Sequence, residues 1–197
     1  MQIHEYGPIS EAEYLRLEAQ SPVRNEYVAG EIFAMTGGTL RHNMLAGRLY
    51  SRFQIALEGT PCRAFINDVR VQVEKHNAHY YPDIVVDCPR AGERLDLTVS
   101  TAALPILIVE VSSTRTEATD RREKLLAYRT LASMQEYVLV SQHRMRVEIH
   151  RRSGDIGWSL VEYGPGDDVE LTAVGLKLGM SELYEGTEID PNAGDEA

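Results

Sequence analysis

The stretch 104-LPILIVEVSST-114 decides how the rest of this chain is read. Leu104 and Pro105 introduce an apolar run that continues unbroken to Val109 and then meets Glu110. An unbroken run of this kind predicts a strand buried on both faces, the inner position of a sheet covered on each side. A carboxylate inside or at the end of such a strand is costly unless a cation or several donors meet it. The sequence must therefore supply a partner for Glu110.

Working outward, the 197 residues are 43% hydrophobic, enough for one compact domain with a real core. We expect that domain over residues 1–185, followed by a disordered acidic tail over 186–197. There are 30 Asp and Glu against 20 Lys and Arg, a formal net charge of −10. Glu188, Asp190, Asp195 and Glu196 belong to the tail, and removing them from the −10 leaves −6. Passive nucleic-acid binders carry a basic surplus, so the balance argues against a coating or architectural role. An enzyme that gathers acids around a metal remains compatible. Cys62 and Cys88 are the sole cysteines, with no CxxC or Cys/His cluster, so we expect neither a disulfide framework nor a zinc knuckle, and a reducing, cytoplasmic setting. The opening residues carry no basic leader or apolar core, and 105-PILIV-109 is far shorter than the roughly 20 residues that span a bilayer. A soluble protein without membrane attachment is expected.

Along the chain, 9-ISEAEYLRLEAQ-20 predicts a short helix capped by Ser10, and 24-RNEYVAGEIFAMTGG-38 a hairpin turning at Ala29-Gly30. Leu40, Met44, Leu45, Leu49 and Phe53 fall near one face of a longer helix over 39–57. The alternation in 64-AFINDVRVQVE-74 predicts a half-exposed strand, and 80-YYPDIVVDC-88 an inner strand beside it. After the opening stretch, 114-TRTEATDRREKLLAYRTLA-132 is a polar lead into a helix, followed by strands at 136-EYVLVS-141, 146-RVEIHRR-152 and 158-WSLVEY-163. Meandering strands, a helical crossover and a returning strand make an α/β fold whose sheet has antiparallel and parallel parts.

Two apolar strands carry an acid where a plain core has none: Asp83 after Pro82, and Glu110. If these strands are neighbours, the two side chains converge at one end of the sheet. Close carboxylates repel, and a divalent cation between them relieves this. Oxygen-only ligation suits Mg2+ or Mn2+ better than zinc. On the helix that follows, Asp120, Lys124 and Tyr128 are spaced by four and form one stripe, while Leu125, Leu126 and Leu131 offer apolar neighbours that dock it. Lys124 aimed back at Glu110 would place an ammonium where it could orient or help deprotonate an attacking water and offset charge on a phosphoryl transition state.

"YPD" followed 27 positions later by "VEVSS" resembles the PD-(D/E)XK nuclease superfamily. "TDRREKLLAYRTLASMQEYVLV" resembles one branch of it, the Uma-type family of restriction endonuclease-like proteins, across most of residues 8–185. In that branch the motif lysine moves from the strand to the next helix. Here its usual slot is Ser112, and Lys124 is the matching replacement. The resemblance implies a restriction-endonuclease-like fold, a mixed central sheet flanked by helices. It implies a metal on Asp83, Glu110 and the carbonyl of Val111, with Lys124 serving the water or the scissile phosphate. The "RNEYVAGEI" hairpin extends it and implies that Glu26 is a further acid of the site.

Each residue also has a plainer reading. Asp83 could cap a turn, Glu110 could bond amides or a core arginine, and Asp120–Lys124 could be a solvated helix pair worth about 0.3–0.5 kcal/mol. Tyr128 reads as a packing residue with its hydroxyl near the site, and Glu26 as surface charge. His42, at the flank of its helix's apolar stripe, reads as a structural histidine. Arg144, Arg146 and 150-HRRSG-154 read as a solvated hairpin rather than a phosphate contact. The leading expectation is a metal-dependent endonuclease cleaving nucleic acid, DNA before RNA, through metal-activated water. A homodimer would suit cutting of both strands. The rival is a catalytically inactive nuclease-fold module that binds nucleic acid or a protein partner; a hydrolase of another phosphate ester comes third.

Overall fold

Glu110 ends the apolar run of β8, Pro105–Ser112, every residue of which is buried. The structure, a computed structural model, describes residues 8–35, 37–113, 119–154 and 157–191. Around β8 lies a six-stranded sheet in the order β11-β10-β9-β8-β6-β3, formed by β3 (Arg63–Ile66), β6 (Ile84–Asp87), β9 (Glu136–Ser141), β10 (Val147–Ser153) and β11 (Gly157–Tyr163). β8 runs antiparallel to β6 and parallel to β9, so the expected mixed α/β sheet is present.

A second sheet of five strands has the order β2-β1-β5-β4-β7, with β1 (Asn25–Val28), β2 (Glu31–Ala34), β4 (Arg70–Val73), β5 (Ala78–Tyr80) and β7 (Thr101–Ala102). The β1–β2 hairpin turns where expected, at Ala29 and Gly30, both with positive φ (50° and 102°). A Cβ on Gly30 would also press on Pro8 at 3.0 Å, so glycine suits this position twice over.

Two segments expected as single strands are each divided between the sheets. The alternation of 64–74 breaks at Asn67, whose φ of 62° turns the chain, leaving β3 in the six-stranded sheet and β4 in the five-stranded one. Likewise β5 and β6 belong to different sheets, joined by Tyr81, Pro82 and Asp83. Alternation reports faces, and it is blind to a change of sheet.

Opposite faces of the six-stranded sheet are covered differently. On one lies α2 (Leu40–Ala56), capped by Thr39 Oγ1, which accepts from the His42 amide at 3.1 Å. Its Leu45, Ala46, Leu49 and Phe53 pack on Ile84, Val86, Leu107, Val109 and Val111. Leu40 and Met44, expected on that apolar face, point to solvent instead. Val85, Ile108, Tyr137 and Leu139 face the other way and pack on Val71, Val73, Ala78 and Tyr80 of the five-stranded sheet. With them packs α3, a π-helical turn (Asp120–Lys124) running into an α-helical turn (Leu125–Tyr128). In α3, Leu125 is buried, whereas Leu126, expected to dock the helix, is exposed. Its polar lead over 114–118 lies outside the described residues.

The helix α1 (Glu11–Glu18) forms as expected, its N-cap Ser10 accepting from the Glu13 amide. Additions to the expected elements are a two-stranded sheet, β12 (Asp168–Leu171) with β13 (Leu176–Gly179), and the short helix α4 (Met180–Leu183), all packed on the α2 side. Residues 186–191, expected within a disordered tail, carry a buried Thr187 whose carbonyl accepts from Arg41 Nε at 2.8 Å. Residues 192–197 lie outside the described residues. Cys62 and Cys88, for which no disulfide was expected, form one. The β3–β6 register explains it: Arg63 faces Asp87, so the next pair outward is Cys62 and Cys88. No helix among the described residues is long and apolar enough to cross a membrane.

Candidate active site

Strand alternation sets the site. Because Leu107, Val109 and Val111 face α2, Ile108, Glu110 and Ser112 face the other way, toward α3 and the second sheet. Val85 shares that face, and Asp83 lies two residues before it. Ile84 pairs with Val109, which puts Asp83 beside Glu110 just past the end of β6. The two inner acids are thus neighbours, as the sequence requires for any shared chemistry.

Each acid has defined partners. Asp83 Oδ2 accepts from the Val111 amide at 2.7 Å and lies 3.1 Å from His42 Nε2. Glu110 Oε1 lies 3.0 Å from Lys124 Nζ and 3.4 Å from the Tyr128 hydroxyl. Lys124 also meets Glu26 Oε1 at 2.9 Å and Asp120 Oδ1 at 3.7 Å, and stands 5.5 Å from the Tyr80 ring centroid. The stripe of Asp120, Lys124 and Tyr128 survives the π-helical turn, because positions four apart still share a face there. Tyr137 steadies that turn, its hydroxyl donating to the Asp120 carbonyl at 3.1 Å. Ser112, in the usual lysine slot, is a short buried side chain on the site face. Its size leaves the ammonium to be delivered from α3.

All five expected side chains, Glu26, Asp83, Glu110, Lys124 and Tyr128, meet here together with the Val111 backbone. His42, read as structural, belongs with them through its bond to Asp83. The missed signal was positional: α2 crosses the end of β8, which no local pattern reports. The arginines of the 144–154 region are held internally. Arg146 pairs with Glu148 and Glu162, Arg151 with Glu136, and Arg152 donates to the Leu131 and Met134 carbonyls.

The electrostatics are lopsided. Burial raises the Glu110 pKa well above the usual carboxylate range; Lys124 opposes this, and Asp120, Asp83 and Glu26 add to it. Burial opposes charge on Lys124, yet Glu110, Glu26 and Asp120 raise its pKa well above that of an ordinary lysine. The surrounding carboxylates thus favour the charged ammonium, which suits it to orienting a water or offsetting phosphoryl charge. A hydrogen bond to Asp83 raises the pKa of His42 against its own partial burial.

Among the described residues, no group of three or more His, Cys, Asp or Glu side chains is already gathered as a metal cage. The donor chemistry nevertheless fits a hard divalent cation. Three carboxylates (Glu26, Glu110 and Asp120) share one ammonium, Asp83 stands beside Glu110, and all the candidate ligands are oxygens. Burial is the main cause of the raised proton affinity of Glu110, and the lesser push from Asp120, Asp83 and Glu26 is charge that a cation would offset.

A mixed sheet carrying paired acids, with a helix returning a lysine to them, defines a restriction-endonuclease-like protein. The chain belongs to the Uma2 family, described as "Putative restriction endonuclease", whose model matches residues 11–181. Two uncharacterized proteins of Synechocystis sp. are each 30% identical to it. One aligns over 92% of this chain and 94% of its own length, the other over 86% and 95%. A crystal structure of "a putative nuclease belonging to DUF820" from Anabaena variabilis superposes with a TM-score of 0.68 at 18% identity, covering 90% of this chain and 98% of that one. That likeness establishes the fold.

Proposed function

We propose that this protein is a metal-dependent endonuclease that hydrolyses phosphodiester bonds of nucleic acid, with DNA as substrate. One observation carries the reading: Asp83 and Glu110, far apart in sequence, lie side by side and Lys124 faces them from α3. Family membership supports the same reaction class.

Asp83, Glu110 and the Val111 carbonyl would hold Mg2+ or Mn2+. A strand sends the N–H and C=O of one residue to the same side, so the Val111 carbonyl faces the edge where its amide meets Asp83. Bound there, the cation would supply Lewis-acid charge and lower the pKa of a water. The protein's own groups do the rest. Lys124 presents a fixed positive charge to the phosphoryl oxygens, in a buried setting where it acts strongly. Glu26 and Asp120 hold that ammonium, and His42 holds the Asp83 carboxylate in one orientation. Two copies acting together would cut both strands of a duplex, which light scattering of the purified protein tests.

The rival, a non-catalytic module, has one observation in its favour: Glu110 and Asp83 already have protein partners on an oxygen each. Calorimetric titration with Mn2+ and a cleavage assay on plasmid DNA decide between them. Binding with cleavage supports the endonuclease. No heat at millimolar metal, together with intact plasmid, rejects it.

A further inference from the structure

Helix α3 has a second face that the candidate site does not use. Arg122, Leu126 and Arg129 fall at i, i+4 and i+7 on its outer side, and Leu126 is 58% exposed. Beside them lies Trp158 of the edge strand β11, the single tryptophan of the chain. The Arg129 guanidinium stands 5.4 Å from its ring centroid and that of Arg152, its cross-strand neighbour, 4.8 Å. Leu160, two residues along β11 and 52% exposed, extends the same face.

What sets this patch apart is two guanidiniums against one tryptophan ring, neither of them paired with a carboxylate. Arg16, Arg24, Arg52, Arg90, Arg121, Arg146 and Arg151 all pair with acids. Among the described residues, Arg122, Arg129 and Arg152 do not. Arg129 meets His150, Arg152 meets backbone carbonyls, and Arg122 is exposed without an ion pair. Of the acids around it, Glu148 and Glu162 pair with Arg121 and Arg146, and Glu123, next to Arg122 in the chain, accepts from the Tyr80 hydroxyl. On a molecule of net charge −10, a cluster of uncompensated guanidiniums around a tryptophan is a local reversal of sign.

We infer that this outer face of α3 is a docking surface for the sugar–phosphate backbone of nucleic acid. The inference rests on the proposed nuclease reading, because the same helix turns Lys124 inward to the candidate site. An α-helix is about 10 Å across, or about three nucleotides at a rise of roughly 3.4 Å along a strand. A strand with one phosphate at Lys124 has to pass round α3, at least that far, to bring another, about three or more nucleotides away, to Arg122 and Arg129. Arginine is the cation for this task, since its planar fork pairs with phosphate oxygens at two points.

The full chain, in chelator so that no hydrolysis occurs, is titrated with a fluorescein-labelled 12-nucleotide DNA. Anisotropy is read together with the emission of Trp158. Binding is expected to change that emission and to weaken with salt. Arg122→Glu is expected to weaken it about tenfold and to lower the slope of log K against log salt by about one, while Arg122→Lys recovers most of the affinity. Equal affinity of wild type and Arg122→Glu, an emission unmoved by DNA, or equal uptake onto phosphatidylserine vesicles overturns the surface. Arg122-dependent binding without cleavage in magnesium keeps the surface and rejects the hydrolytic reading. Cleavage that ignores Arg122→Glu does the reverse.

Discussion

Lys124 Nζ lies 3.0 Å from Glu110 Oε1 across fourteen residues of chain, and the same nitrogen lies 2.9 Å from Glu26. Glu110 stands in the six-stranded sheet and Glu26 in the five-stranded one, so a single ammonium ties α3 to both. Lys124→Met is expected to destabilise the protein by about 3–5 kcal/mol, because it leaves buried carboxylates without their cation. Adding Glu26→Gln should return part of that loss. Urea denaturation of the three proteins checks both statements, and unchanged stability in Lys124→Met contradicts the account.

Asp83→Asn and Glu110→Gln preserve shape while removing charge. Each is expected to reduce magnesium-dependent cleavage by on the order of 10²-fold or more, with the circular dichroism of the wild type retained. Full activity in both variants rules out the proposed chemistry.

His42 supplies one of the two contacts on Asp83 Oδ2, the other being the Val111 amide. Partners of a ligating carboxylate typically matter by about 10–100-fold in metal affinity. His42→Ala should therefore weaken Mn2+ binding by about tenfold in calorimetry, with His42→Gln, which keeps a donor, intermediate. Identical binding isotherms would reduce His42 to a packing residue.

Stability should fall in mild acid through His79 and His150. Burial lowers both pKa values from 6.5; Glu11 partly opposes this at His79, and Arg129 reinforces it at His150. A base with a depressed folded pKa binds fewer protons folded than unfolded, so its contribution is complete above about 6.5 and is lost as pH falls toward the folded value. His42, with its pKa raised, works in the opposite sense: its contribution is present below 6.5 and lost as pH rises through the folded value. Melting temperatures of wild type and His79→Gln between pH 7.5 and 5.5 separate the two effects, with a shallower acid slope expected in the variant.

Much of the site was legible because its acids stand where apolar strands have no use for charge. Val109 before Glu110 and Pro82 before Asp83 mark them, and the four-residue spacing of Asp120, Lys124 and Tyr128 survives the π-helical turn. Glu26 emerged through family resemblance alone, because a hairpin acid looks like any surface acid. His42 escaped because its role depends on where α2 crosses β8. The change of sheet at Asn67 and at Pro82 was equally hidden, since the pattern of apolar and polar residues reports the face a residue takes and not the sheet it joins. The Cys62–Cys88 bridge follows from the β3–β6 register, which a pair of isolated cysteines does not disclose.

Tyr81, Pro82 and Asp83 form the only stretch between β5 and β6, and each of those strands is anchored in a different sheet. Asp83 is therefore a mechanical joint as well as an acid. Its bond to the Val111 amide clamps it to β8, so the point where the chain changes layers is also the point where the two acids are locked side by side.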